Sequence, residues 1–159
     1  MSWRKHLRPT LEALSVYDVP PSDARSRMHA NECPEPWPAQ VRKAFGEAIA
    51  NLELNRYPDT SGRSLRKVIG DKHGVNPERV VLGNGSDEII SNLLTTLSGA
   101  PESGPLVIPT PTFVMYAHSA AVLDIPVRKV PLDDDFLLDE AALRQALPGA
   151  SLCFFARPN

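Results

Sequence analysis

The chain has 159 residues, of which 42% are hydrophobic and 23% are charged, and its formal net charge at neutral pH is -2. This composition predicts one globular domain of ordinary size and argues against a disordered chain. The small net charge gives no electrostatic basis for binding nucleic acid or an anionic membrane, and no apolar run approaches the roughly 18 residues of a membrane span.

The two cysteines, Cys33 and Cys153, have no spacing typical of a metal site or of a disulfide framework. A reducing compartment fits them best, so we expect a cytoplasmic protein. The three consecutive aspartates at 133–135 read as a solvated turn, and we predict no metal site. The N-terminal residues include basic side chains but no apolar region, so they are not a secretory signal.

The first part of the chain is rich in proline, with several prolines close together before residue 40. Because proline lacks an N–H group and restricts the residue before it, residues 1–37 are predicted to form an extended N-terminal arm that lies on something else. From Pro38 apolar residues recur at helical spacing as far as residue 52, which predicts a helix with Pro38 near its start. A loop follows, and then a helix is predicted over residues 64–73, ended by Gly74.

The rest of the chain alternates between short apolar runs and helical patterns. Strands are predicted over 80–82, 106–108, 126–130 and 151–156, and helices over 86–98, 112–121 and 139–147, the last with Asp139 as its N-cap. Four strands separated by three helices predict an α/β fold with right-handed crossovers and a mostly parallel sheet. The carboxyl ends of the strands then share one edge, where open α/β sheets bind ligands.

One strand-to-helix turn, in the stretch "VVLGNGSDEIISNLL" from residue 80 to 94, contains two glycines. Two interpretations are open: the glycines only turn the chain, or they let the backbone approach a phosphate. Ser86 and Asp87 stand where helix N–H groups lack acceptors and attract an anion, although the carboxylate of Asp87 could also cap this end. Glu88 takes the place of the third glycine of a dinucleotide fingerprint, and no P-loop lysine follows.

Five segments, in this order, resemble the pyridoxal-phosphate aminotransferases of fold type I, and within them most resemble the histidinol-phosphate aminotransferase family. They are "HANECPEPWP", "RYPD", "GNGSDEII", "PTPTFVMY" and "FFARPN", the first with Cys33 where the family has asparagine. The resemblance spans residues 17–159 and implies a three-layer αβα domain over residues 38–159, incomplete in this chain. It also implies pyridoxal 5'-phosphate as cofactor, small amino-acid and keto-acid substrates, and a homodimer.

The resemblance implies a cofactor-binding role for four residues. Ser86 and Asp87 would present backbone N–H groups to the phosphate, Phe113 would stack on the pyridine ring, and Tyr57 would reach the phosphate held by the neighbouring subunit. From the residues alone, the alternative for Phe113 is a place in the helix core, and the alternative for Tyr57 is a loop residue packed beside Pro58.

The resemblance also implies roles for residues at the two ends of the matched region. Asn159 is either the asparagine that hydrogen-bonds the ring oxygen of the cofactor or the residue before it, and the sequence leaves both open. Tyr17, Asn31 and Glu32 would lie near the substrate mouth, although a surface arm explains them as well.

No lysine in the chain stands in the motif of the family's cofactor-bound lysine, so we expect no catalytic residue here. This, together with the end of the chain directly after an apolar strand, predicts the N-terminal portion of a longer enzyme. The expected reaction is transamination of histidinol phosphate and imidazole acetol phosphate with glutamate and 2-oxoglutarate in histidine biosynthesis. The alternatives are another amino-acid aminotransferase or a decarboxylase of the same fold, and a non-catalytic remnant.

Overall fold

The computed structural model describes residues 3–12, 14, 23–24, 32–100 and 102–159. The chain divides into two compact units, one formed by Met1–Ser15 with Arg66–Asn159 and the other by Val16–Leu65. The predicted division between an arm (1–37) and a domain (38–159) stays a prediction. Tyr17 and Asn31, two of the predicted substrate residues, lie outside the described residues.

From residue 86 onward, helices and strands alternate along the chain. In chain order the regular elements are a 3-10 turn at Trp3–His6, α1 (Pro9–Glu12), α2 (Ala39–Ala50), α3 (Arg63–His73), a 3-10 turn at Pro77–Arg79, α4 (Ser86–Leu97), β1 (Leu106–Thr110), α5 (Val114–Val122), β2 (Val127–Pro131), α6 (Glu140–Ala146) and β3 (Leu152–Cys153). The predicted helices are therefore all present, with boundaries that differ by one or two residues at most ends. None of the helices in the described residues has the length and apolar character needed to cross a membrane.

The sheet is parallel throughout, as predicted, and its strand order is β2-β1-β3. The prediction of a strand at residues 80–82 is wrong: these residues pair with no strand in the described part of the chain, and Val81 is 76% exposed. An apolar run makes a strand only where a neighbouring backbone offers hydrogen bonds. The last strand is also shorter than predicted, because its ladder ends at the bond from Phe154 N to Val107 O.

Helices cover both faces of the sheet, which makes three layers. Leu106 and Ile108 of β1 pack with Ile90 and Leu94 of α4 and with Ala120 of α5. The next residue along β1, Val107, points to the other face and packs against α6 and β2. This alternation follows from the two-residue repeat of a strand, and β1 is buried on both faces because it lies in the centre of the sheet.

The smaller unit contains α2 and the loop that leads into α3. Pro38 precedes the first residue of α2, where its fixed backbone angle suits a helix start. In the loop, Asp59 Oδ1 accepts hydrogen bonds from the N–H and the hydroxyl of Ser61, and Oδ2 accepts from the N–H of Arg63. These bonds, led by that from the Ser61 hydroxyl, hold the pKa of Asp59 below its usual value. Asp59 therefore orders the turn after Tyr57 and Pro58.

Candidate functional site

The N-terminal turn of α4 is directed toward the carboxyl edge of the sheet. At the other end of α4, the hydroxyl of Ser98 lies 2.6 Å from that of Ser151, which donates to the carbonyl of Gly104. Gly104 and Ser151 come just before β1 and β3, so α4 ends where these strands begin. A helix of 12 residues is about 18 Å long, and a strand of 5 residues covers about 17 Å. From these lengths we expect the start of α4 to lie near the end of β1.

The start of α4 is built on a glycine and has no side-chain cap. Gly85 is the N-cap residue, with φ 85° and ψ 173°, a conformation that is essentially restricted to glycine. No heavy atom outside its immediate neighbours lies within 4 Å of the position that a Cβ would take. Ser86 and Asp87 are exposed, and Glu88 accepts a hydrogen bond from the backbone N–H of Asn84. The open space and the uncapped N–H groups suit an anion.

A row of aromatic side chains lies at the start of α5. Phe113 is the N-cap residue of α5 and is 38% exposed. Its ring meets the ring of Tyr116 edge-on, with centroids 5.5 Å apart, and Tyr116 lies 5.0 Å from Phe154. Edge-on and tilted contacts of this kind are favourable and fix ring orientation. Phe113 is therefore neither simple helix core nor free surface, because its ring contacts Tyr116 while more than a third of the residue stays exposed.

Asn159 is tied to the segment that carries Phe113. The amide oxygen of Asn159 accepts a hydrogen bond of 2.7 Å from Thr112 Oγ1, and its amide nitrogen donates to the carbonyl of Pro111 at 3.0 Å. Thr112 is adjacent to Phe113 in the chain, so Asn159 and Phe113 come together at the carboxyl edge. A cavity of about 150 Å³ opens beside them, with Thr112, Asn159 and Phe155 in its wall.

The other predicted site residues belong to the smaller unit or are not described. Tyr57 is 97% exposed on its loop, and Glu32 is exposed as well. The larger unit thus brings Phe113 and Asn159 together and directs Ser86 and Asp87 to the same edge. Sequence reasoning did not identify Tyr116, Phe154 and Thr112 as their supports; the three-residue spacing of Phe113 and Tyr116 was the only local signal.

The titratable groups of the larger unit show no metal-binding arrangement in the described residues. No group of three or more histidine, cysteine or acidic side chains there is arranged to hold a metal ion. The carboxylate of Asp133 instead accepts hydrogen bonds from the N–H groups of Asp135 and Leu137, as expected of a turn. Partial burial raises the pKa of the Cys153 thiol, which makes this side chain a poor nucleophile.

Comparison with known families identifies the class to which this arrangement belongs. Residues 27–155 match the model of the family described as aminotransferase class I and II. The chain belongs to this family. The matched residues include the glycine turn, Phe113 and the three strands of the sheet.

Individual aminotransferases support this placement. The chain is 42% identical over 147 residues to the histidinol-phosphate aminotransferase of a Synechococcus strain, a match that covers 90% of this chain and 41% of that protein. It thus spans about two fifths of the length of that relative.

Two solved structures have the same fold. The N-succinyldiaminopimelate aminotransferase from Mycobacterium tuberculosis superposes with a TM-score of 0.63 at 30% identity, over 77% of this chain and 34% of that one. The histidinol-phosphate aminotransferase from Sinorhizobium meliloti, solved in complex with pyridoxal-5'-phosphate, has a TM-score of 0.69 over 92% and 41%. Its 20% identity makes it a likeness of fold alone.

Proposed function

We propose that this chain supplies the phosphate-binding and ring-binding part of a pyridoxal-phosphate-dependent aminotransferase. The observation that carries the proposal is the start of α4, where an uncapped helix end, opened by Gly85, faces the same edge as Phe113. A phosphate dianion suits this end because the unpaired N–H groups and the helix dipole both favour negative charge. Membership of the aminotransferase family supports the choice of this cofactor over other phosphate ligands.

Each candidate site residue of the larger unit has a proposed role toward that cofactor. Ser86 and Asp87 donate backbone N–H groups to the phosphate, and Gly85 lets it approach because no Cβ fills the space beside it. Phe113 presents a ring face to the pyridine, and Tyr116 keeps that face oriented. The amide oxygen of Asn159 accepts from Thr112 and one N–H of its amide nitrogen donates to Pro111, and the second N–H of the same nitrogen can donate to the ring oxygen of the cofactor.

The chemistry is divided between the cofactor and residues of the whole protein. Pyridoxal phosphate, when bound, supplies the electron sink that lets an amino group pass between an amino acid and a keto acid. The described part of this chain binds, orients and partly encloses that group. We propose that the lysine amine that moves the proton belongs to the three fifths of the family's length that this chain does not cover, so no residue here is assigned a catalytic role.

We further propose that the whole protein acts on histidinol phosphate and imidazole acetol phosphate, with glutamate and 2-oxoglutarate as the second pair, in histidine biosynthesis. The names of relatives at 35–42% identity support this choice. The solved N-succinyldiaminopimelate aminotransferase at 30% identity supports a second candidate, a different amino-acid aminotransferase of the same fold.

The partner and the location are part of the same proposal. The nearly complete exposure of Tyr57, on a turn ordered by Asp59, supports a role in which it reaches the cofactor phosphate of a second subunit in a homodimer. Cys33 and Cys153 are both free thiols, which supports a reducing, cytoplasmic location.

The protein expressed from its complete gene tests the substrate proposal. Purified protein is given pyridoxal phosphate and 2-oxoglutarate with a panel of amino donors, and glutamate formation is measured. We expect kcat/KM for histidinol phosphate to exceed that for N-succinyldiaminopimelate and for common amino acids by at least about a hundredfold, the discrimination that specific polar contacts provide. A preference for another donor would select the second candidate, and absence of transamination with bound cofactor would select the non-catalytic remnant.

A further inference from the structure

Two side chains near the N-terminus hold α1 against the C-terminal end of α5, the end opposite Phe113. Arg8 Nη1 donates to Asp124 Oδ2 at 3.0 Å, and Thr10 Oγ1 donates to Asp124 Oδ1 at 2.6 Å. Arg8 also donates through Nη2 to the main-chain carbonyl of Val122, in the last turn of α5. Both oxygens of one carboxylate are thus bonded to residues that lie more than a hundred positions earlier in the chain.

The end of α5 does not by itself call for an aspartate at this position. Ile125 N donates to Ala120 O at 2.9 Å and Asp124 N to Ala121 O at 3.2 Å, which is the bonding pattern of a Schellman motif. Asp124 occupies the left-handed position of that motif, with φ 58°, where glycine is the usual residue. A carboxylate at a helix C-terminus also opposes the helix dipole.

Asp124 therefore departs from two local preferences, and in the part of the chain that the structure describes its carboxylate is bonded by Arg8 and Thr10. A residue that breaks local rules in this way indicates a role beyond its own element. The contact also lies outside the buried core: the side chains of Arg8 and Asp124 are 46% and 45% exposed, and α1 contains the half-buried Leu11 but no buried residue.

We propose that Asp124 anchors an N-terminal strap (residues 3–12) that fastens to α5 and can be released while the α/β core stays folded. This proposal rests on the contacts of Arg8, Thr10 and Asp124, and it holds whether or not the protein is an aminotransferase.

Hydrogen–deuterium exchange of the complete protein tests the strap. Asp124→Gly removes the carboxylate and places glycine where the backbone favours it, so the end of α5 stays intact. We expect exchange in a peptide covering residues 3–12 to become about three- to fivefold faster, in line with an exposed ion pair, while exchange in α5 is unchanged or slower. Asp124→Asn, which keeps an acceptor for Thr10 but removes the charge, should give a smaller increase.

Arg144→Gln is the matched control, because it breaks an exposed ion pair with Glu140 that lies within α6 and should leave exchange in the strap unchanged. Equal exchange of the strap in Asp124→Gly and the wild type would overturn the proposal. Faster exchange of α5 in Asp124→Gly would overturn it too, because Asp124 would then act on its own helix rather than on the strap.

Discussion

Helices α4 and α6 pack on opposite faces of the same sheet, but their N-terminal ends are built in different ways. α6 begins after Asp139, whose side-chain oxygen accepts a hydrogen bond of 2.9 Å from the N–H of Ala142. α4 begins after Gly85, which has no side chain and whose backbone conformation would be strained for any other residue. A side-chain cap satisfies one of the free N–H groups at a helix start, whereas a glycine start leaves that group for a ligand. The difference separates a purely structural helix end from a candidate binding site.

The largest effect is expected from Ser86→Pro, which removes the backbone N–H at the first position of α4. Proline is tolerated at the first position of a helix, so the helix should still form. Loss of one charge-assisted hydrogen bond, worth about 1.5–3 kcal/mol, should weaken pyridoxal phosphate binding about tenfold to a hundredfold. Spectroscopic titration of the complete protein with the cofactor measures this.

Two controls sharpen that test. Ser86→Ala keeps the N–H and removes only the hydroxyl, so cofactor affinity should stay near that of the wild type. Glu140→Pro makes the same change at the first position of α6, the self-capped helix, and should also leave cofactor affinity unchanged. Equal cofactor affinity in Ser86→Pro and Ser86→Ala would show that the open start of α4 does not bind the phosphate.

Gly85→Ala should reduce stability even though the added Cβ meets no other atom. At φ 85° a non-glycine residue is expected to cost about 1–3 kcal/mol. Gly46→Ala is the matched control, since its Cβ also meets nothing within 4 Å but it lies inside α2, where alanine should stabilise by about 0.5–1 kcal/mol. Urea unfolding of both variants measures the free energies; a loss of stability in both would contradict this account of Gly85.

Asp139→Ala removes the cap that α4 lacks and α6 has. The expected loss is about 1 kcal/mol of unfolding free energy, because the N–H of Ala142 loses its acceptor. Asp139→Asn keeps an acceptor oxygen and should retain most of the stability. Thermal unfolding of the two variants measures this difference, and cofactor binding should be the same in both. Similar losses of stability in the alanine and asparagine variants would mean that the cap bond contributes little.

The smallest effect concerns the other kind of helix end, the C-terminus of α5. The hydrogen bond from Thr10, and next the interaction with Arg8, lower the pKa of Asp124 below its usual value, and Arg8 is the charged group that faces it. A carboxyl group whose pKa is lowered by folding stabilises the folded state at pH values above its unfolded pKa of about 3.9. This stabilisation is lost as the pH falls through the folded pKa. Hydrogen exchange of the strap in the wild type should therefore approach that of Asp124→Gly below about pH 4. A constant difference between them down to pH 2 would contradict the role of the charge.

Much of the fold was predictable because the helices carry their own signals. The 3.6-residue spacing in α4, the capping by Asp139 and the position of Pro38 depend on neighbours a few residues away, and all three are found in the structure. The three apolar runs that became strands were also recognised. The run at residues 80–82 was not distinguishable from them, since pairing depends on backbone that is distant in the chain.

The sequence by itself determined the helices, the parallel α/β class and the glycine turn, because spacing, capping and turn chemistry act over one to four residues. Only the tertiary structure decided that Thr112 holds Asn159, that Tyr116 supports Phe113 and that Arg8 reaches Asp124. These contacts join residues whose approach is imposed by strand order and helix packing. Their energies depend on distances between elements, which no local pattern encodes.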